Sequence, residues 1–318
     1  MIRVAVLDDY ADAARPSADW TRLDGVAEVT FFPDHVADED ELADRLAPFD
    51  VVALMRERTA FPASLLSRLP ALRLLITTGM GNAAVDVASA AQQNILVCGT
   101  RGAGGPAAPE FTWGLILAVT RGIRDGADSV RAGGWSVRPG PQLRGTTLGL
   151  LGLGRIGGTL AGYAQAFGMD VVAWSENLTD ERAAEVGAVR VDRAELFRRA
   201  SVVVVCTRLS DRTRGLVGAE ELALLGADGY LVNTSRGPIV DETALVSALR
   251  NETIAGAALD VFEVEPLPDD HPLRTLPNAL VTPHLGYVSR EAFTVMYTDV
   301  IDGVLVWAAG TPQNLVTA

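Results

Sequence analysis

Residues 148–157 read Leu148-Gly149-Leu150-Leu151-Gly152-Leu153-Gly154-Arg155-Ile156-Gly157, an apolar run that breaks into a G-x-G-x-x-G turn. Helix-compatible sequence follows at 159–167, and a second apolar run lies at 170–174. Strand, glycine turn, helix and strand in that order are the setting in which such a turn holds the pyrophosphate of a dinucleotide. Each glycine then has its own task. Gly152 permits the tight turn, Gly154 lets the backbone approach the anion, and Gly157 lets the helix lie close to its strand. The amides of Arg155 and Ile156 open the helix and face the phosphates. A glycine-rich loop without a ligand is the alternative, and the flanking elements argue against it.

Outward from the turn, short apolar strands alternate with helical stretches, the pattern of parallel sheets covered on both faces. The alternation occurs twice. One set of expected strands is 3–7, 28–32, 51–55, 72–77 and 95–98; the other is 147–151, 170–174, 201–206, 230–233, 255–259 and 280–282. Between the sets, Gly99, Gly102, Gly104, Gly105 and Pro106 read as a hinge or domain boundary, followed by a long helical segment from 109 to about 124. After Pro283 the chain is helical again over roughly 289–309, a tail able to cross back to the first domain.

Composition sets the frame. A chain of 318 residues, 48% hydrophobic, exceeds what one domain usually holds. No apolar run approaches the ~20 residues of a membrane span. Residues 1–7 read as a short strand without a signal-peptide cleavage pattern, so a cytoplasmic location is expected. Cys98 and Cys206 sit in or at the end of apolar runs and form no metal or disulfide pattern. The formal charge of −13 argues against nucleic acid or an anionic membrane as partner. All 27 basic residues are arginine, which removes lysine Schiff-base chemistry and the P-loop lysine.

Three further segments complete a pattern. Asn233-Thr234-Ser235-Arg236-Gly237, Ala258-Leu259-Asp260-Val261-Phe262-Glu263-Val264-Glu265-Pro266 and Thr282-Pro283-His284 follow the glycine turn in order. With it they resemble the arginine, acidic, histidine and cofactor motifs of the D-isomer-specific 2-hydroxyacid dehydrogenase family, over nearly the whole chain. The resemblance implies an α/β fold of two doubly wound parallel-sheet domains, a Rossmann cofactor domain and a flavodoxin-like substrate domain, with a cleft between them. The substrate domain is then discontinuous, 1–98 with 286–318, and the dinucleotide-binding domain is 99–285.

The implied reaction is hydride transfer between a nicotinamide and C2 of a 2-hydroxyacid. By resemblance His284 is the acid/base and Arg236 the carboxylate clamp, while Glu265 bonds the second imidazole nitrogen and Asp260 faces the nicotinamide end. The residue types suit these tasks. Imidazole exchanges a proton near neutrality, and the guanidinium fork matches a planar carboxylate without losing its charge. His35 and His271 lack such context and read as surface loop residues, and no HExxH or His/Cys cluster suggests a metal.

The family's substrate loop corresponds to 78–82, so Gly79, Met80 and Gly81 are expected to bind the substrate carboxylate, although Ala83 and Ala84 replace the usual acidic residue and Asn that follow. Arg56 aligns with a pocket-bordering position. It meets either a second anionic group or Glu57. For the cofactor, Ser175 stands where NAD-dependent members carry Asp, and Glu176 follows where an arginine would favour NADP. Thr207, Arg208 and Thr234 complete the expected cofactor contacts; Arg208 replaces a proline common in the family and brings positive charge. NAD is the expected cofactor and NADP the alternative.

Two function classes follow: an NAD(P)-dependent 2-oxoacid reductase or 2-hydroxyacid dehydrogenase, and an NAD(H)-sensing protein like the related corepressors. The chain stops shortly after its last helix without an appended regulatory segment, which favours the enzyme. Glu265, where formate dehydrogenases carry Gln, disfavours that activity. The partners expected are a small 2-oxoacid or 2-hydroxyacid and a second copy of the chain, joined through 121–135.

Overall fold

The computed structural model describes residues 1–101, 105–135 and 139–317. They form two compact units, Met1–Gly105 with Val288–Ala318, and Pro106–Tyr287. The first division falls later than residue 98 for a local reason. Gly99 donates its amide to the Asn314 carbonyl at 2.9 Å, and Arg101 bonds Asp299 through both backbone and guanidinium. These contacts keep 99–101 with the first unit. Gly102 and Gly104 of the glycine cluster lie outside the described residues.

The first unit carries β1 (Ile2–Val6), β2 (Ala27–Phe31), β3 (Val51–Leu54), β4 (Leu74–Thr77) and β5 (Leu96–Gly99), with helices α1 (Ala14–Ser17), α2 (Glu39–Leu46), α3 (Ala63–Leu66) and α4 (Val87–Gln92). All strand pairs are parallel, in the order β2-β1-β3-β4-β5. This is the flavodoxin-like order, whose switch point lies between β1 and β3. Beyond the ends of those strands Asp8 is buried, accepts the Thr59 hydroxyl at 2.6 Å and faces His35 Nδ1 at 2.9 Å. His35 is therefore not the solvated loop residue expected. Its partner lies 27 positions away, and no local pattern announces it.

The second unit carries α5 (Ala107–Arg121), α6 (Ile123–Arg131), β6 (Thr147–Leu151), α7 (Arg155–Ala166), β7 (Asp170–Trp174), α8 (Asp180–Ala184), β8 (Val189–Arg190), α9 (Arg193–Arg199), β9 (Val202–Val205), α10 (Ala219–Leu225), β10 (Tyr230–Asn233), α11 (Glu242–Arg250), β11 (Gly256–Leu259) and β12 (Ala279–Val281). Its seven strands are parallel in the order β12-β11-β10-β9-β6-β7-β8. That is the Rossmann order extended by one strand, with its switch point between β6 and β9. The central strands are buried along their length, as sheets covered on both faces require. The two-residue β8 went unrecognised in the sequence because Val189 and Arg190 are both exposed and form no apolar run.

The expected single helix to about residue 124 is two helices. Gly122, at φ +58°, takes the left-handed conformation that ends α5 and redirects the chain into α6. The C-terminal helix α12 (Arg290–Ala308) starts at Ser289, whose hydroxyl accepts the Ala292 amide at 3.1 Å, and it belongs to the first unit.

Candidate active site

At the switch point of the second unit, the glycine turn lies over the end of β9. A Cβ on Gly152, whose φ is +107°, would stand 2.7 Å from the Thr207 nitrogen, and one on Gly157 would stand 2.6 Å from the Gly152 carbonyl oxygen. Neither position accepts a side chain. Helix α7 begins at Gly154, which offers no capping group, so its first-turn amides stay open to an anion. An anion there gains about 0.3–1 kcal/mol from the helix dipole, more when partly buried. The residues present fit the pyrophosphate of a dinucleotide.

Beside the turn runs a cleft of about 610 Å³ that includes Ser175, Glu176, Thr207 and Arg208 in its lining. Sequence reasoning placed Ser175, Glu176 and Arg208 at the adenosine end, counted Thr207 among the cofactor contacts, and missed three more arginines. Arg182, Arg193 and Arg212 also line the cleft. Arg182 pairs with Glu185, and Arg193 lies 3.3 Å from Glu221 and over the Trp174 ring. Their positions in α8, at the start of α9 and in the loop after β9 carried no motif that could have marked them.

The arginine motif follows β10. Asn233, buried at the strand end, donates its side-chain amide to the Arg236 carbonyl at 3.0 Å and accepts the Ser235 amide at 3.0 Å, so it holds the turn that presents Arg236. Ser235 donates its hydroxyl to the Thr207 carbonyl, and the Thr234 hydroxyl meets that of Thr112 on α5 at 2.8 Å. Next comes an interlock. A Cβ on Gly237 would fall 2.0 Å from the carbonyl carbon of Phe262, so the arginine turn is pressed directly onto the acidic loop.

That loop carries Glu265. One carboxylate oxygen accepts the Phe262 amide at 3.0 Å, and the other lies 2.7 Å from Nδ1 of His284. His284 is half-buried, meets the Tyr287 ring edge-on at 5.6 Å and holds a left-handed backbone, φ +55°. A non-glycine residue in that region is strained, and the surrounding bonds must hold it there. Asp260 provides them. Its carboxylate accepts the Thr282 hydroxyl at 2.6 Å and the amides of Leu285 and Gly286 at 2.7 Å each. Burial pushes the Asp260 carboxyl up, against those hydrogen bonds and the nearby His284. Both its oxygens are thus engaged with the histidine turn, a role for Asp260 and Thr282 that the sequence did not disclose.

The first unit places its candidates separately. Gly79, at φ +105°, donates its amide to the Thr100 hydroxyl at 2.9 Å, while Met80 and Gly81 are exposed. Arg56 donates to the Thr78 carbonyl at 2.8 Å and lies 3.7 Å from Glu57, which is the inward alternative of the two considered. The thiols offer no nucleophile: burial pushes Cys98 up, and Cys206 up to about 12.

A glycine turn at the switch point, an imidazole backed by a carboxylate and a guanidinium on an adjoining turn are the parts of a nicotinamide-dependent oxidoreductase. Comparison with known proteins narrows this. The profile described as D-isomer specific 2-hydroxyacid dehydrogenase, NAD binding domain, matches residues 113–286. A glyoxylate reductase of Aeropyrum pernix is 40% identical over 262 residues, 79% of this chain and 78% of that protein. A D-3-phosphoglycerate dehydrogenase of Bacillus subtilis is 36% identical over 87% of this chain, which spans about half of its length, 52%. A solved structure of phosphoglycerate oxidoreductase from Vibrio cholerae superposes with a TM-score of 0.92 at 36% identity, covering 98% of this chain and 100% of that one. The chain belongs to the D-isomer-specific 2-hydroxyacid dehydrogenase family. It is an NAD-dependent oxidoreductase of 2-hydroxyacids, and these relatives give the nucleotide-sensing alternative no support.

Proposed function

We propose that the chain reduces a small 2-oxoacid to its D-2-hydroxyacid, and runs the reverse reaction, with His284 as acid/base, Arg236 as carboxylate clamp and Glu265 as the group that orients His284. The observation that carries this reading is the 2.7 Å contact between Glu265 and Nδ1 of His284. It fixes the imidazole through Nδ1 and leaves Nε2 without a hydrogen-bond partner among the described residues. When bound, the nicotinamide of NADH supplies the hydride. His284 protonates the C2 oxygen from Nε2, and Glu265 stabilises the imidazolium between turnovers. Arg236 holds the carboxylate and polarises the carbonyl beside it. Gly152, Gly154, Arg155, Ile156 and Gly157 hold the pyrophosphate, and the cleft beside them takes the adenosine. Asp260 positions the histidine turn, next to the nicotinamide end.

The relatives' names span glyoxylate and phosphoglycerate substrates, which share a carboxylate next to an oxidised or reduced C2. NADH and NADPH oxidation against a panel of 2-oxoacids tests the proposal. Turnover of at least one short 2-oxoacid is expected, and none with any would overturn it.

The chain also pairs as a homodimer in the cytoplasm. Helix α6 buries none of its residues, and Ile123, Val130 and Trp135 are exposed by 55%, 55% and 85%. A second copy is the simplest cover for them. Light scattering is expected to give twice the 33.6 kDa chain mass, and the single mass would reject the dimer.

A further inference from the structure

Resting on the reading that Glu265 orients His284, we propose that Glu242 and His271 are positioning residues that set the place of Glu265. The loop carrying Glu265 leaves β11 through buried Phe262 and then runs exposed through Glu263 and Val264. Arg274 donates to its Leu267 and Pro268 carbonyls, and one carboxylate bonds it at two further points. Glu242, in the first turn of α11, accepts the Glu263 amide on Oε2 at 3.2 Å and faces His271 Nε2 with Oε1 at 3.0 Å. One side chain therefore clasps both ends of the 263–271 segment, and Glu265 lies between the two grips.

The tautomer of His271 follows from its other contact. Its Nδ1 accepts the Leu273 amide at 3.3 Å, where the ring caps a short 3-10 turn, so Nδ1 carries the lone pair and Nε2 carries the hydrogen. The ring is thereby oriented to donate to Glu242, in a bond that the carboxylate charge strengthens. Both side chains are only 18% exposed, so water does not readily replace the contact. On the opposite side, the contact between Gly237 and Phe262 leaves the loop no room to retreat. Helix α11 is itself held at its start by Asp241, which accepts the Ala244 amide at 3.0 Å. The clasp thus ties Glu265 to a capped helix. Slack in it is transmitted to the 2.7 Å contact with His284, and catalytic geometry tolerates only about 0.5 Å of drift.

His271→Asn separates the two functions of this ring. Asparagine still caps the amide two residues on but is too short to reach Glu242. The folded variant is expected to lose about tenfold in kcat, with KM for the 2-oxoacid changed less than about twofold. Its pH profile should move in the same direction as that of Glu265→Gln. In a Glu265→Gln background, His271→Asn should then move the profile no further, because it acts through Glu265.

A second readout avoids turnover altogether. The chain has three histidines, so their ring-proton resonances can be assigned by substitution in the protein without nucleotide. Glu265 and Asp260 are the carboxylates facing His284, and neither is altered in these variants. The His284 ring-proton resonances should change chemical shift in His271→Asn and in Glu242→Ala relative to the parent. Unchanged His284 resonances in both folded variants, or full additivity with Glu265→Gln, overturns the proposal. If His284→Ala itself keeps full turnover, the underlying reading fails instead, whatever His271 does.

Discussion

His284 and His271 lie thirteen positions apart in the chain, in the same unit, and each ring faces a glutamate, at 2.7 Å and 3.0 Å. Their surroundings differ in one respect that matters. His271 has both nitrogens engaged, one by Glu242 and one by the Leu273 amide, whereas among the described residues His284 has only Nδ1 engaged. A ring with both nitrogens occupied holds structure together; a ring with one nitrogen left unengaged can move a proton. Backbone tells the same story. His271 sits in extended backbone at φ −66°, while His284 is held in the left-handed region. Strain of this kind costs on the order of 1–3 kcal/mol and persists where neighbours over-determine it, here through Asp260 and Thr282.

The largest expected effect would break the comparison outright if it failed. His284→Ala should lower kcat by about 10²–10⁴-fold, the usual range for loss of a general acid. A turnover within tenfold of the parent would erase the distinction between the two rings. Next in size is Glu265→Gln, expected to cost about 10–10²-fold, because the ring keeps its orientation but loses the negative charge that favours its protonated form. Reduction needs the protonated ring, so activity falls as pH rises. Removing the carboxylate should therefore move that basic limb of kcat/KM to lower pH, and a limb that stays put would make Glu265 a mere spacer.

The smallest effect sharpens the contrast from outside, at the adenosine end, where neither ring takes part. Glu176 and Arg208 line the same cleft, and a 2′-phosphate placed there would be repelled by the first and attracted by the second. The enzyme should prefer NADH in kcat/KM, and Glu176→Arg should shift the ratio toward NADPH by at least about tenfold, or ~1.4 kcal/mol. The pH profile should not move with it. A parent enzyme that prefers NADPH would show that the arginines, not Glu176, govern that end.

Much of this could be read from the chain alone, and the boundary is physical. Parallel strands buried on both faces announce themselves as apolar runs, and the glycine turn, arginine, acidic and histidine motifs carry their chemistry within a few residues each. What stayed hidden joins distant segments through single hydrogen bonds. Asp260 and Thr282 are 22 positions apart, Glu242 and Glu263 are 21, and Asp8 and His35 are 27. Such pairs leave no periodic trace, so His271 and His35 read as loop residues until their partners were placed beside them. The three further arginines of the cleft were missed because no motif marks them.

Gly237 carries a consequence of another kind. Because its backbone lies against that of Phe262 with no space for even a methyl group, the two turns cannot slide past one another or accept an added residue between their contact points. Substitutions elsewhere can be absorbed by rotating a side chain; a change of length in 234–237 or 260–265 cannot. The separation between Arg236 and Glu265 along the chain therefore acts as a gauge of the folded geometry. Inserting one alanine after Thr234 should uncouple the guanidinium from the imidazole more completely than most point changes at either turn.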